Sequence, residues 1–392
     1  MADQLSAVTQ RNHAMRRLSA AVLINIAMGA IYAWGVFLLP LQGYLEISRT
    51  ELSSVPTVAL ICFTAGMAWH DRLLQALGGM NLSVVAFALA GGGFFLFAAM
   101  PCYWSLLVGY GGLFGIGSGL GYGLALALVS TFSPQKRPLA IGVAMAAFAS
   151  SGILMPFALA NRVEPRNVAF VFGCLAMAIL ATGISATALL GEGHANRSGF
   201  ESSRKSPAPA IASDCTFLKL ALIFLCICIV GLMTVSQLTG ILSPLGTEGI
   251  VGYGLSILTS GYLAGSLFGG QAVRRLGGRN ALLLANAVTA AGLAFLYVGT
   301  PSFGMLGAAC VGAAFGSSAS LMPTLVGELY GAEKIGEIYG RLIVSYGIAG
   351  LVAPWGSGVL YDAFGGYRIA ILLGMAACAV SAVLALNLKT SR

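Results

Sequence analysis

The chain has 392 residues, of which 58% are hydrophobic and 9% charged, with 53 glycines and a mean hydropathy of +0.88. A soluble domain carries about 25% charged residues, so this composition describes a polytopic helical membrane protein. It excludes a secreted disulfide scaffold, a nucleic-acid-binding domain and a disordered chain. The net charge of +8 is spread along the chain and forms no single basic face.

A span takes about 20 mostly apolar residues. Segments of that kind occur, in chain order, at 18–40, 52–70, 82–100, 104–132, 138–160, 168–190, 217–240, 253–273, 280–300, 303–326, 338–360 and 369–388. The first follows Arg11, Arg16 and Arg17. Its apolar run exceeds the roughly 7–15 residues of a signal-peptide core, so it reads as a transmembrane helix behind a cytoplasmic tail. Backbone groups cannot go unpaired in lipid, and the alternating pattern of a barrel is absent, so all twelve segments are expected to be helices. The longest connection, 191–216, is rich in Ser, Gly and Pro like a linker. It divides the chain into an N-terminal six-helix bundle, 1–190, and a C-terminal one, 217–392. The expected fold class is an all-α membrane protein with twelve transmembrane helices in two pseudo-symmetric bundles.

With the N-terminus cytoplasmic, only Arg49, Arg162, Arg166 and Arg368 of the 21 Lys and Arg fall outside. That asymmetry predicts a multi-pass cell-membrane (inner-membrane) protein with both termini in the cytoplasm.

The eight cysteines, Cys62, Cys102, Cys174, Cys215, Cys226, Cys228, Cys310 and Cys378, lie mostly in apolar runs and read as packing residues. No Cys/His spacing suits zinc, so neither a metal nor a cofactor is expected. An enzyme would need clustered ionisable groups at the membrane, and an ATP-driven pump a Walker loop. Neither pattern is found.

The halves repeat at an offset of 199 residues. Ala65-Gly66, Arg72 and Leu77-Gly78-Gly79-Met80-Asn81 correspond to Ala264-Gly265 and Leu276-Gly277-Gly278-Arg279-Asn280. Two repeated halves about a central axis are a transporter design, with the solute held at the midplane.

Three stretches carry a family likeness. They are Gly29-Ala30-Ile31-Tyr32-Ala33-Trp34-Gly35-Val36-Phe37, then Phe132 to Gly142, and the run from Gly327-Glu328-Leu329-Tyr330-Gly331 through Ser345-Tyr346-Gly347 to Tyr361-Asp362 and Gly365-Gly366-Tyr367. With the 6+6 plan, the chain resembles the major facilitator superfamily and, within it, the oxalate/formate antiporter and monocarboxylate porter group. The resemblance implies the major facilitator fold and transport by alternating access. The superfamily's loop motif is eroded, with Arg274 where an acid is usual and Gln75-Ala76 where Asp-Arg is usual. Ser266 and Tyr346 stand at the positions where oxalate antiporters hold a dicarboxylate with Arg and Lys. No Lys or Arg lies at mid-span, so a dianion would meet no counter-charge there.

Recognition must then come from hydroxyls, amides, rings and helix ends. Asn25 and Tyr32 are seven residues apart, on one face of a continuous helix, and Tyr32 falls where the resemblance puts a pocket tyrosine. Tyr122 follows Gly115, Gly117, Gly119 and Gly121, which read as small-residue packing positions. Gln237, Ser317 and Tyr346 complete the candidate substrate-binding set, although membrane Ser and Thr commonly bond their own backbone. Pro56, Pro156, Pro244 and Pro323 would either free backbone groups or simply kink their helices. Candidate gating residues are Asp71, Arg72, Arg274, Arg275, Glu328, Glu337 and Arg341. The expected function is a secondary active or facilitative transporter of a small organic solute, a monocarboxylate above others. It would act as a monomer in the lipid bilayer, without nucleic acid. The alternatives are an exporter of a neutral or amphipathic metabolite or drug, or a transporter-like receptor that moves nothing.

Overall fold

The computed structural model describes the backbone of residues 2–132, 137–159, 162–191, 215–245, 248–331 and 335–388. All of its regular structure is helical. The first span is α1 (Ala2–Met28), a 3₁₀ turn Gly29–Ala33 and α2 (Trp34–Leu45). Next comes α3 (Arg49–Ala99), then α4 (Tyr103–Leu106), which runs through a π-helical stretch, Leu107–Phe114, into α5 (Gly115–Ser130). The remaining helices are α6 (Arg137–Leu159), α7 (Val168–Leu190), α8 (Cys215–Leu242), α9 (Glu248–Leu276), α10 (Gly278–Val298), α11 (Pro301–Tyr330), α12 (Ile335–Phe364) and α13 (Arg368–Leu386).

Among the described residues, 10 helical stretches are long and apolar enough to cross a membrane. One of them, α3, bends at Gly78 into two limbs, and so supplies two of the expected spans. Helix α9 covers the eighth span, where Ser256, Thr259, Ser260, Tyr262 and Ser266 dilute the apolar content. Over its described residues, each of the twelve expected segments is thus helical. Large apolar side chains such as Phe157, Phe170, Met177, Ile184, Leu267 and Phe268 face outward. In water such a surface would aggregate, whereas lipid is its natural cover.

The 199-residue repeat is visible in the backbone. Gly78 has φ 78° and ψ 165°, and Gly277 has φ 79° and ψ 154°. Glycine adopts this region at no steric cost, and the chain turns there from one span into the next. Asn81 then donates to the Leu77 carbonyl at 3.0 Å, as Asn280 does to Leu276 at 3.0 Å. Small residues close the interhelical contacts. A Cβ on Gly119 would strike the Phe63 carbonyl oxygen, and one on Gly265 the Ala313 carbonyl oxygen. These glycines therefore pack helix against helix.

The chain forms two compact units. Unit 1 contains Met1–Ile31, Val58–Ser151 and Arg166–Arg204, and unit 2 contains Tyr32–Thr57, Gly152–Pro165 and Lys205–Arg392. Unit 1 has an aromatic core of Phe94, Phe97, Tyr110, Phe114 and Phe172. The packing reading of the cysteines needs one correction: Cys102, Cys174 and Cys215 are exposed, while the other five are at least partly buried.

Candidate functional site

In unit 2 the site begins with the break in span one. The 3₁₀ turn carries Tyr32, which is buried. Its ring centroid lies 5.7 Å from that of Tyr262 on α9. Its hydroxyl lies 3.4 Å from the hydroxyl of Tyr346 on α12, and either can donate. Tyr262 in turn packs edge-on against Phe315 of α11, at 5.3 Å. Four elements, the 3₁₀ turn, α9, α11 and α12, therefore bring three phenols and one phenyl ring together. Tyr262 was not among the expected residues, although its position three after Thr259 puts both on one side of α9.

Pro156 has no N–H to offer Gly152, four residues earlier. The one hydroxyl hydrogen of Thr259 is shared between that carbonyl, at 3.0 Å, and the Leu255 carbonyl of its own helix, at 2.7 Å. Thr239 similarly donates to the Gly35 carbonyl at 2.6 Å. The carbonyl freed by Pro156 is thus bonded by the protein itself.

Gln237 is wholly buried. Its Nε2 donates to Ser53 Oγ at 2.7 Å and to the Pro354 carbonyl at 3.2 Å, and its Oε1 accepts from Tyr367 at 2.8 Å. Both amide hydrogens are used within the protein, so Gln237 ties α8 to Ser53 of α3, Pro354 of α12 and Tyr367. Nearby, Asp362 accepts from the Arg49 N–H at 3.1 Å, the Thr50 N–H at 2.7 Å and the Thr50 hydroxyl at 2.5 Å. It caps the start of α3, where free N–H groups favour an anion. This cluster of Arg49, Thr50, Ser53, Gln237, Asp362 and Tyr367 could not be assembled from the sequence.

Ser317 donates to Ala314 of its own helix at 2.7 Å. The gating candidates Arg274, Arg275 and Glu328 are exposed, and Arg341 is half-buried. The side chain of Glu337 lies outside the described residues, as do the loop 133–136 and residues 192–214 of the linker.

In unit 1, Asn25 is wholly buried and donates to the Ala144 carbonyl at 2.7 Å. Its Oδ1 is shut off from solvent without a hydrogen-bond partner. The 3₁₀ turn interrupts the continuous helix that would have put Asn25 and Tyr32 on one face. The turn's loosened backbone is held instead by Ser118, donating to Met28 at 2.8 Å, and by Tyr110, donating to Ala30 at 3.4 Å. Tyr122 packs on Phe63 and Phe148 with centroids at 5.5 and 5.0 Å, and its hydroxyl meets Met145 Sδ at 3.1 Å. Asp71 pairs with His70 of its own helix at 3.1 Å, and Arg72 is exposed. A groove of about 410 Å³ between the second limb of α3 and α7 is lined by Met80, Val84, Phe87, Leu180 and Ile184. Its hydroxyl, on Thr187, is bonded to Ser83 at 2.9 Å, so it offers little to orient a polar solute. Among the described residues no three His, Cys, Asp or Glu gather to hold a metal.

The architecture has close counterparts. A bacterial homologue of the human lysosomal transporter Spinster, solved inward-facing and occupied, superposes with a TM-score of 0.66 at 15% identity, over 95% of this chain and 93% of that one. The inward-facing, unoccupied structure gives 0.66 at 13% identity, over 96% and 95%. The fold is that of the major facilitator superfamily. Residues 220–391 also match the family model described as Major Facilitator Superfamily. A curated relative, the uncharacterized MFS-type transporter YhjX of Escherichia coli K12, is 20% identical over 342 residues, 85% of either chain. These likenesses support a multi-pass membrane protein of transporter type.

Proposed function

We propose that the chain is a secondary active or facilitative transporter that carries a small organic monocarboxylate across the cell membrane by alternating access. The bundles 1–190 and 217–392 move about the linker 191–216, with both termini cytoplasmic and the protein acting as a monomer. The observation that carries this reading is the phenol pair, Tyr32 and Tyr346, with hydroxyls 3.4 Å apart. Two hydroxyls at that separation can turn to donate together to one carboxylate, and hydrogen bonds to an anion are stronger than neutral ones. A dianion would require a fixed cation in the same place. The latch around Gln237 and Asp362 acts as the outer gate. Asp71, Arg72, Arg274, Arg275, Glu328, Glu337 and Arg341 belong to the inner one.

The test is uptake of labelled lactate, pyruvate and formate by proteoliposomes carrying the wild type, Tyr32→Phe or Tyr346→Phe. Losing one hydrogen bond to a charged group should raise KM by roughly tenfold or more. Wild-type KM in both variants would remove the pair from the site. Counterflow driven by neutral solutes and by none of the acids would select the exporter of a neutral metabolite instead.

A further inference from the structure

Arg49 is the first residue of α3 and is 3% exposed. Its Nε and Nη1 are closed off from solvent and have no hydrogen-bond partner. The guanidinium carbon lies 4.9 Å from the centre of the Tyr361 ring, which supplies a cation–π contact. Among the described residues no carboxylate pairs with the guanidinium. Asp362 reaches the Arg49 backbone N–H, and its two oxygens are engaged there and on Thr50.

A buried guanidinium with open donors is expensive, and an apolar side chain would seal the same space at lower cost. Sealing is already provided by neutral groups, since Gln237 ties Ser53, Pro354 and Tyr367 together. The cation–π contact leaves the Nε and Nη1 donors open, and another conformation can satisfy them. Arg49 is also a fixed positive charge beside the polar cluster of unit 2, in a chain without mid-span Lys or Arg. Guanidinium matches a carboxylate in both charge and geometry.

We propose that Arg49 is a second carboxylate-recognition residue of the transport path, besides the Tyr32/Tyr346 pair, reached by the solute when the Asp362 latch is apart and desolvated when it is shut. Asp362 then acts as an internal competitor, because its carboxylate holds the start of α3 until a solute carboxylate arrives. The inference rests on the reading above that the solute is an anion.

The experiment measures KM for lactate uptake by Arg49→Gln and Arg49→Lys in proteoliposomes, together with inhibition by lactamide, the neutral analogue. Arg49→Gln should raise the lactate KM by about 10- to 100-fold, the loss of one charged hydrogen bond, and Arg49→Lys by less. Inhibition by lactamide should be unchanged in both, which a merely damaged gate would not allow. A wild-type lactate KM in Arg49→Gln would overturn the proposal. Absence of carboxylate uptake by the wild type would instead sink the underlying transport reading. A second measurement needs no variant: phenylglyoxal modification of Arg49 in the wild type, followed by peptide mass spectrometry. Lactate should slow it several-fold. A rate indifferent to lactate, or an arginine that never reacts, would contradict a site exposed during the cycle.

Discussion

Tyr367 and Gln237 share a buried hydrogen bond of 2.8 Å, and its removal has a calculable cost. Tyr367→Phe leaves Gln237 Oε1 without that donor, a penalty of about 1–3 kcal/mol. Thermal unfolding of the purified protein should show a lower Tm. A Tm equal to that of the wild type would mean the latch contributes nothing. Burial pushes the Tyr367 phenol above its ordinary value, so it remains a donor throughout the physiological range. Because the raised value belongs to the folded state, this contribution is constant below the unfolded phenol value of about 10. It is lost only as the pH rises beyond that. Gln237 stood out in the sequence as a lone amide in an apolar helix. Its role did not, because Ser53 is 184 positions away and Tyr367 130. Arg49 was legible only as a loop cation; its burial depends on α12 folding over it.

The helices themselves were legible almost throughout, because apolar length in lipid leaves few alternatives to a helix. What did not show was how they depart from regularity. The 3₁₀ turn at Gly29–Ala33 is held by Ser118 and Tyr110, whose hydroxyls take up the Met28 and Ala30 carbonyls, and the π stretch at Leu107–Phe114 is equally invisible to hydropathy. From the sequence Pro156 either frees a backbone group or kinks its helix, and nothing there shows that Thr259 bonds the Gly152 carbonyl. A double-mutant cycle tests that link. Thr259→Val should cost about 1 kcal/mol or more in the wild type, and distinctly less in a Pro156→Ala background, where residue 156 regains its N–H. Equal costs in both backgrounds would deny the coupling. Helix packing gives a second contrast at this scale. Gly265→Ala forces a methyl into the Ala313 carbonyl, whereas Gly142→Ala meets nothing within 4 Å. The first should lower stability by about 1–3 kcal/mol and the second should leave it nearly unchanged, as read from thermal unfolding in detergent.

For the molecule as a whole, the 199-residue repeat was the most informative feature of the sequence. It reappears as matching backbone at Gly78 and Gly277 and matching side-chain bonds from Asn81 and Asn280. The compact units are a different matter. Three of their five changeovers, at 31/32, 57/58 and 151/152, fall inside spans, near Gly29, Pro56 and Pro156, and no hydropathy pattern reports a boundary there. Substrate chemistry is the least legible level, since tyrosines and amides serve packing and recognition alike. The scarcity of membrane-embedded acids predicts uptake that is the same in sodium and potassium buffers, and strict Na⁺ dependence would refute this. The central claim, that this fold carries a monocarboxylate, is tested most directly by counterflow in proteoliposomes. Vesicles loaded with unlabelled lactate should accumulate labelled lactate transiently and saturably above protein-free controls. Traces that superimpose on those controls for lactate, pyruvate and formate alike would contradict the account.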